Sequence, residues 1–227
     1  MAIILSIETA TKAGSVAIHK DGTLVGIQQY SIEKSHSALV QVLMSQLLEN
    51  TGIDRSEIDA VAVSAGPGSY TGLRIGVSSA KGFCFALSLP LIAINTLEAM
   101  AFQVNKQHVN EYLLCPMIDA RRLEVYCLLA EKSGKILEAT YAKIIEEDAF
   151  STYLNKGKIL FFGDGADKCK TIIRNENAIF IDDIIPSAKE IGEMAEVKFQ
   201  KGDFEDLAYY EPFYLKEFRI AKPKVKA

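Results

Sequence analysis

Two carboxylates stand where this chain of 227 residues could do chemistry. Glu8 ends the apolar run "IILSIE" and Asp119 ends "YLLCPMID", each closing the first strand of a strand–turn–strand pattern. Acids at strand ends that face one another across a cleft can hold Mg²⁺ or act as general bases. The competing reading is that each caps its own turn, and it is preferred because "TATKAG" follows Glu8 in place of a tight glycine-rich phosphate turn. A second candidate is the loop "AGPGSYTGLRIG", residues 65–76, which leads into a helix. A phosphate cradle aims several backbone N–H groups at one anion at such a place. Here no Lys-Ser or Lys-Thr follows the last glycine, the G-x-G-x-x-G spacing is missed by one residue, and Pro67 removes an N–H. Arg74 is the nearest cation, with Lys81 two turns further on. The turn "GDGADK" supplies another pair of glycines, so the candidates for a vestigial nucleotide site are Glu8, Asp119, Gly163 and Gly165.

Metal chemistry has less to work with. His36 heads the first helix, but four residues on stands Val40, so the HxxxH pair that would put two imidazoles on one helix face is absent. His19 reads as exposed at a strand end beside a turn, and His108 as a helix terminus. Cys84, Cys115, Cys127 and Cys169 form no CxxC pair and lie mostly in apolar runs, which suggests buried free thiols in a cytoplasmic protein. A net charge of −4 argues against a chain that grips nucleic acid alone. No apolar stretch has the length of a membrane span or a signal peptide.

The elements that must position these residues follow from periodicity. Three strands, with Asp21-Gly22 as a hairpin turn, precede a helix over 37–50 and a strand at "DAVAVS". The glycine loop opens a helix over 72–87, followed by the strand "PLIAIN" and a helix over 96–107. Near Asn110 the pattern restarts, and Ile118-Asp119 overlays Ile7-Glu8 while Ser133-Gly134 overlays Asp21-Gly22. Either this is an internal duplication or the two meanders are unrelated. Strands at "KILFFG" and "IFIDDI" follow, then a helix over 187–200 opened by a Ser187/Glu190 capping box. The expected units are 1–108 and 109–218, with the last helix packing back on the first unit and 219–227 a basic flexible tail.

Glycine within a helix costs about 1 kcal/mol against alanine, so Gly76 and Gly82 need an offsetting contact. Gly72, Gly76, Ser79 and Ala80 share a stripe that would let another helix come close, with Leu73, Val77, Phe83 and Leu87 opposite. "SALVQVLMSQLLEN" carries more apolar positions than one core-facing stripe uses. It is either buried on two sides or shows its second face to a partner. On the partner reading, the binding set is His36, Leu39, Val40, Val42, Leu43, Met44, Leu47, Gly72, Arg74, Gly76, Ser79 and Phe83.

"ILSIETATKAGSVAI", "SHSALVQVLMSQLL", "AGPGSYTGLRIGVSSAKGFCFALSLPLIAINTLEAMA", "MIDARRLEVYCLL" and "PFYLKEF" together resemble the TsaB (YeaZ) family over nearly the whole chain. Glu8 replaces a usual Asp and Lys216 a common Arg, and the first departure weakens any phosphate-binding role. The resemblance implies an α/β fold of the ASKHA type (actin-like ATPase, RNase H-like), with two related subdomains and mixed sheets. It implies a non-catalytic subunit that binds TsaD through the two N-terminal helices, is joined by TsaE, and forms homodimers when TsaD is absent. The complex moves a threonylcarbamoyl group to N6 of the adenosine beside the anticodon in tRNAs reading codons that begin with adenine. Nucleotide and Mg²⁺ would then belong to the partner subunits; this chain would need no cofactor or metal and would meet tRNA only through the complex. The alternatives are an active ASKHA-type ATPase or phosphotransferase using Glu8, Asp119 and Arg74, and a metallopeptidase, which would lack its HxxxH pair.

Overall fold

The computed structural model describes residues 1–31, 36–107 and 110–216, the side chains of 36–38 excepted. His108 and the tail 219–227 lie outside the described residues. The first half runs β1 (Ile3–Glu8), β2 (Ala13–Lys20), β3 (Thr23–Ser31), α1 (His36–Thr51), β4 (Ala60–Gly66), α2 (Tyr70–Leu87), β5 (Leu91–Asn95) and α3 (Thr96–Gln107). The second runs β6 (Leu113–Asp119), β7 (Glu124–Ala130), β8 (Ile136–Ile144), α4 (Ser151–Leu154), β9 (Ile159–Phe162), β10 (Ala178–Ile181) and α5 (Ala188–Lys201). Asp21 and Gly22 both take left-handed φ, 50° and 72°, the geometry that lets a two-residue turn match strand twist.

The two sheets repeat one topology. Their orders are β3-β2-β1-β4-β5 and β8-β7-β6-β9-β10, with antiparallel meanders and parallel additions in both. Even a turn is repeated. Gly66-Pro67-Gly68 begins on the last residue of β4 and Gly163-Asp164-Gly165 follows β9, their first glycines at φ 104° and 97°. A Cβ on Gly68 would lie 2.4 Å from the Ala10 oxygen beyond β1, and one on Gly165 2.8 Å from the Ile118 carbonyl carbon in β6. In each half a glycine turn presses on the end of the first strand.

Strand alternation distributes the core. Ile3, Leu5 and Ile7 of β1 point at Val40, Met44, Leu47 and Leu48 of α1 and Val77, Ala80 and Cys84 of α2. Ile4 points the other way, at Ile191 and Ala195 of α5. Central strands are therefore buried on both faces, while edge strand β3 alternates exposed and half-buried residues. The helices that follow each sheet are exchanged. Leu97, Met100 and Val104 of α3 pack on Leu114, Ile118, Leu160 and Phe162 of the second sheet, and α5 returns to the first. Among the described residues, α4 and one 3-10 turn, Asp167–Cys169, are the helical elements on the outer face of the second sheet, where α1 and α2 cover the first.

Two expectations change. Ser187 caps α5 by accepting the Lys189 N–H at 3.2 Å, in place of the bond to Glu190 that a capping box needs. His19 is fully buried, because α5 lies across β2 at Gly192, where a Cβ would come within 2.1 Å of His19 Nδ1. All four cysteines are buried and unpaired.

Candidate functional site

The two strand-end carboxylates do the same local work in different surroundings. Glu8 is fully buried, and its Oε1 accepts the Ala10 N–H at 2.5 Å. Burial pushes its carboxyl up to about 7, with hydrogen bonds from Ala10 and Ser64 pulling the other way. Asp119 is exposed; its Oδ1 accepts the Arg121 N–H at 2.9 Å and pairs with Lys168. Each carboxylate thus caps the backbone two residues on. One is sealed in the core and the other lies at the surface, so they do not share a solvent cleft. The two glycines of the second turn are likewise taken up by protein: a Cβ on Gly163 would lie 2.3 Å from the Met117 oxygen. The Gly165 N–H donates to that same oxygen at 3.1 Å.

The first glycine loop closes on its own chain. A Cβ on Gly72 would lie 2.1 Å from the Thr9 oxygen, and one on Gly76 2.3 Å from Thr9 Oγ1. Thr9 Oγ1 donates to the Gly72 carbonyl at 2.8 Å and the Ser69 N–H donates to the Ala10 carbonyl at 2.7 Å. Ser69 Oγ caps α2 by accepting the Gly72 N–H at 3.2 Å. Close packing is what these glycines serve, but their neighbour is the β1–β2 turn and not another helix.

This geometry corrects the partner-facing set. Val40, Met44 and Leu47 are core residues of α1, and Gly72 and Gly76 are buried under Thr9. Leu43 and Phe83 are half-buried against the first-sheet core, and Leu39 and Ser79 are half-buried. Val42, 47% exposed, and Arg74 face outward, while the His36 side chain lies outside the described residues. The outward stripe of α2 is instead Thr71, Arg74, Ser78, Gly82 and Phe85. Phe85 is 82% exposed, and a Cβ on Gly82 would meet nothing within 4 Å. Tyr70, Thr71, Arg74, Ile75 and Ser78 line a shallow hollow of about 340 Å³ on this face. The signal for it was present in Gly82, a helix glycine outside the Gly72/Gly76 stripe. α1 lies beside α2, so Val42 and this stripe belong to one helix pair.

A segment after α5, residues 203–216, binds back over the first half. The Glu205 N–H donates to Leu91 at 2.9 Å and the Phe213 N–H to Ala65 at 2.7 Å. Lys81 Nζ holds the carbonyls of Ala208 and Tyr210, each at 3.1 Å. Nothing periodic in its sequence announced this path.

Comparison with known proteins agrees with this architecture. Residues 16–222 match the family model described as TsaD: tRNA N6-adenosine threonylcarbamoyltransferase. The tRNA threonylcarbamoyladenosine biosynthesis protein TsaB of Haemophilus influenzae is 29% identical over 224 residues, 94% of this chain and 93% of its own. A Pseudomonas aeruginosa structure, described as an uncharacterized protein with similarity to peptidase YEAZ, superimposes with a TM-score of 0.82. It is 25% identical, over 95% of this chain and 100% of that one. The ADPNP-bound activator of 2-hydroxyisocaproyl-CoA dehydratase from Clostridium difficile shares the fold alone, with a TM-score of 0.51 and 13% identity over 89% of this chain and 95% of its own. Among the described residues no helix is long and apolar enough to cross a membrane. The actin-like α/β fold with two mixed sheets is therefore the one present, and the chain belongs to the TsaD family, where its likeness is to the TsaB (YeaZ) proteins of tRNA threonylcarbamoyladenosine biosynthesis.

Proposed function

We propose that this chain is a non-catalytic subunit that docks on TsaD through the outer faces of α1 and α2 and supports threonylcarbamoyl transfer to tRNA. The observation that carries the reading is the outward stripe of α2, where Phe85 stands 82% exposed next to a glycine with open space above it. An apolar side chain beside a position without a side chain suits a closely approaching helix. The Tyr70–Ser78 hollow can receive a side chain from that helix. A specific interface needs about 1,000 Å² in total, and two helices of four to five turns can supply most of one side.

The loss of catalysis rests on two residues. Val40 is a core residue where the second histidine of an HxxxH pair would stand, and Glu8 is consumed as a buried turn cap. In this reading TsaE joins the pair, nucleotide and Mg²⁺ are held by the partners, and the same face self-associates when TsaD is absent. Phe85→Glu and Gly82→Arg should abolish co-purification with TsaD without lowering the thermal melt of the isolated chain when it is dilute enough to be monomeric. Unchanged co-purification would remove the docking reading. The competing ATPase reading requires the isolated chain to hydrolyse ATP at a rate that Glu8→Gln abolishes.

A further inference from the structure

Segment 203–216 lies along α2 in the opposite direction, and three contacts fix its course. The Glu205 N–H donates to Leu91, just past the end of α2 in sequence, and Lys81 holds the Ala208 and Tyr210 carbonyls midway. The Tyr214 ring then lies 4.7 Å from that of Tyr70 in the first turn of the helix. Leu207 and Tyr210 turn inward onto the first-sheet core. Tyr209 turns outward and is 84% exposed. Its backbone is held: Asp206 Oδ1 accepts the Ala208 and Tyr209 N–H groups at 2.9 and 3.2 Å, and the Asp206 carbonyl accepts that of Tyr210 at 2.8 Å. A ring presented on such a turn has only two side-chain torsions to fix and loses little freedom when it is covered.

Lys81 ties this ring to the docking face. Tyr209 lies between the two residues whose carbonyls hold the ammonium, and Phe85 is the i+4 neighbour of Lys81, one turn further along α2. Among the described residues Phe85 and Tyr209 are, after Met1, the most exposed large hydrophobic side chains. Flanking one lysine, they form a patch and not two scattered residues. An aromatic side chain covers about 150–250 Å² when fully buried, so the pair offers about 300 Å². Each side of a minimal specific interface needs about 500 Å². Phe85 alone leaves most of that to small and polar side chains; with Tyr209, more than half comes from two rings.

We propose that Tyr209 is a second aromatic anchor of the docking face, and that the apolar face of a TsaD helix seated over Gly82 lies against both Phe85 and Tyr209. The proposal rests on the docking reading above and extends it from two helices to a third element, the segment that the chain brings back to α2 after α5. A helix with its side chains is about 10–12 Å across, wide enough to reach both rings from above Gly82. The phenolic oxygen suits the edge of such a contact, where water remains.

The test measures binding of the full-length chain and its variants to immobilised TsaD, with the chain dilute enough to be monomeric. Tyr209→Ser should weaken binding by at least about tenfold, mostly through faster dissociation. Tyr209→Phe should weaken it by no more than about twofold, since the ring supplies the area. Neither change should alter the thermal melt of the dilute chain, because the ring touches little of its own protein. Tyr209→Ser binding as tightly as the unaltered chain, while Phe85→Glu abolishes binding, would overturn the anchor and leave the docking reading standing. A loss in Tyr209→Phe as large as in Tyr209→Ser would overturn it too, because the hydroxyl and not the ring would be at work. Indifference to Tyr209→Ser and to Phe85→Glu alike would remove the docking reading and this proposal with it.

Discussion

At Glu8 a carboxyl that a nucleotide site would keep ionised is held close to neutrality by burial, at about 7 against an ordinary 4.5. A folded-state value raised above the unfolded one means that this residue's contribution to stability is complete below pH 4.5 and is lost as pH rises through 7. Glu8→Gln keeps an oxygen for the Ala10 N–H and removes the penalty. It should stabilise the chain by about 3 kcal/mol at about pH 8 and by almost nothing at about pH 4.5, measured by urea unfolding. Equal gains at both would show that the carboxyl is ionised in the native protein. His19 works with the opposite sign. Burial lowers it from 6.5, ahead of the attraction of Glu193, so stability falls as pH drops below 6.5. In the Glu8→Gln protein that acid-side slope should stand uncovered. The capping role of Glu8 and Asp119 was legible in the sequence, since a carboxylate at a strand end before a turn has backbone N–H groups within reach. Their different burial was not, because Thr9 and Ala10, beside Glu8, are covered by a loop some sixty residues away in the chain.

Among the elements, α2 shows what periodicity reveals and what it hides. The apolar pattern places the helix at 72–87, within two residues of its observed start at Tyr70, where Ser69 caps it. Which of its two glycine-bearing sides faces inward depends on Thr9, a residue no local window contains. The two glycines now carry opposite expectations. Gly76→Ala must push Thr9 Oγ1 from 2.3 Å and should cost about 1–3 kcal/mol as an overpacked contact. Gly82→Ala meets open space, removes a helix penalty, and should stabilise the isolated chain by about 1 kcal/mol. Thermal melts of the two variants decide this, and the same sign for both would refute the assignment of faces. α1 was harder still to read. Apolar residues nearly all round leave its angle undetermined by sequence, and only the sheet beneath shows that Val40, Met44, Leu47 and Leu48 point inward while Val42 does not.

For the whole molecule, the exchange of α3 and α5 decides whether two halves can be two folding units. The repeat was legible as a restart near Asn110, and the last helix was expected to pack back on the first unit, but a linear reading leaves α3 with the strands before it. In the folded chain α3 fills the core of the second sheet and α5 that of the first. Ile4, Ala62, Ile92 and Ile94 would be left facing solvent if the chain ended at residue 107, and α3 would lack Leu114 and Phe162. Neither half buries its own apolar surface, so the chain should unfold in one transition. Gly192→Val tests this at a single point, because its first side-chain carbon would sit 2.1 Å from His19 Nδ1 and must lift α5 from the first sheet. Hydrogen exchange should then rise together in β1 and in β6, although the substitution touches only the first sheet. Exchange confined to the first sheet would mean that the halves are energetically separate and that the exchanged helices do not couple them.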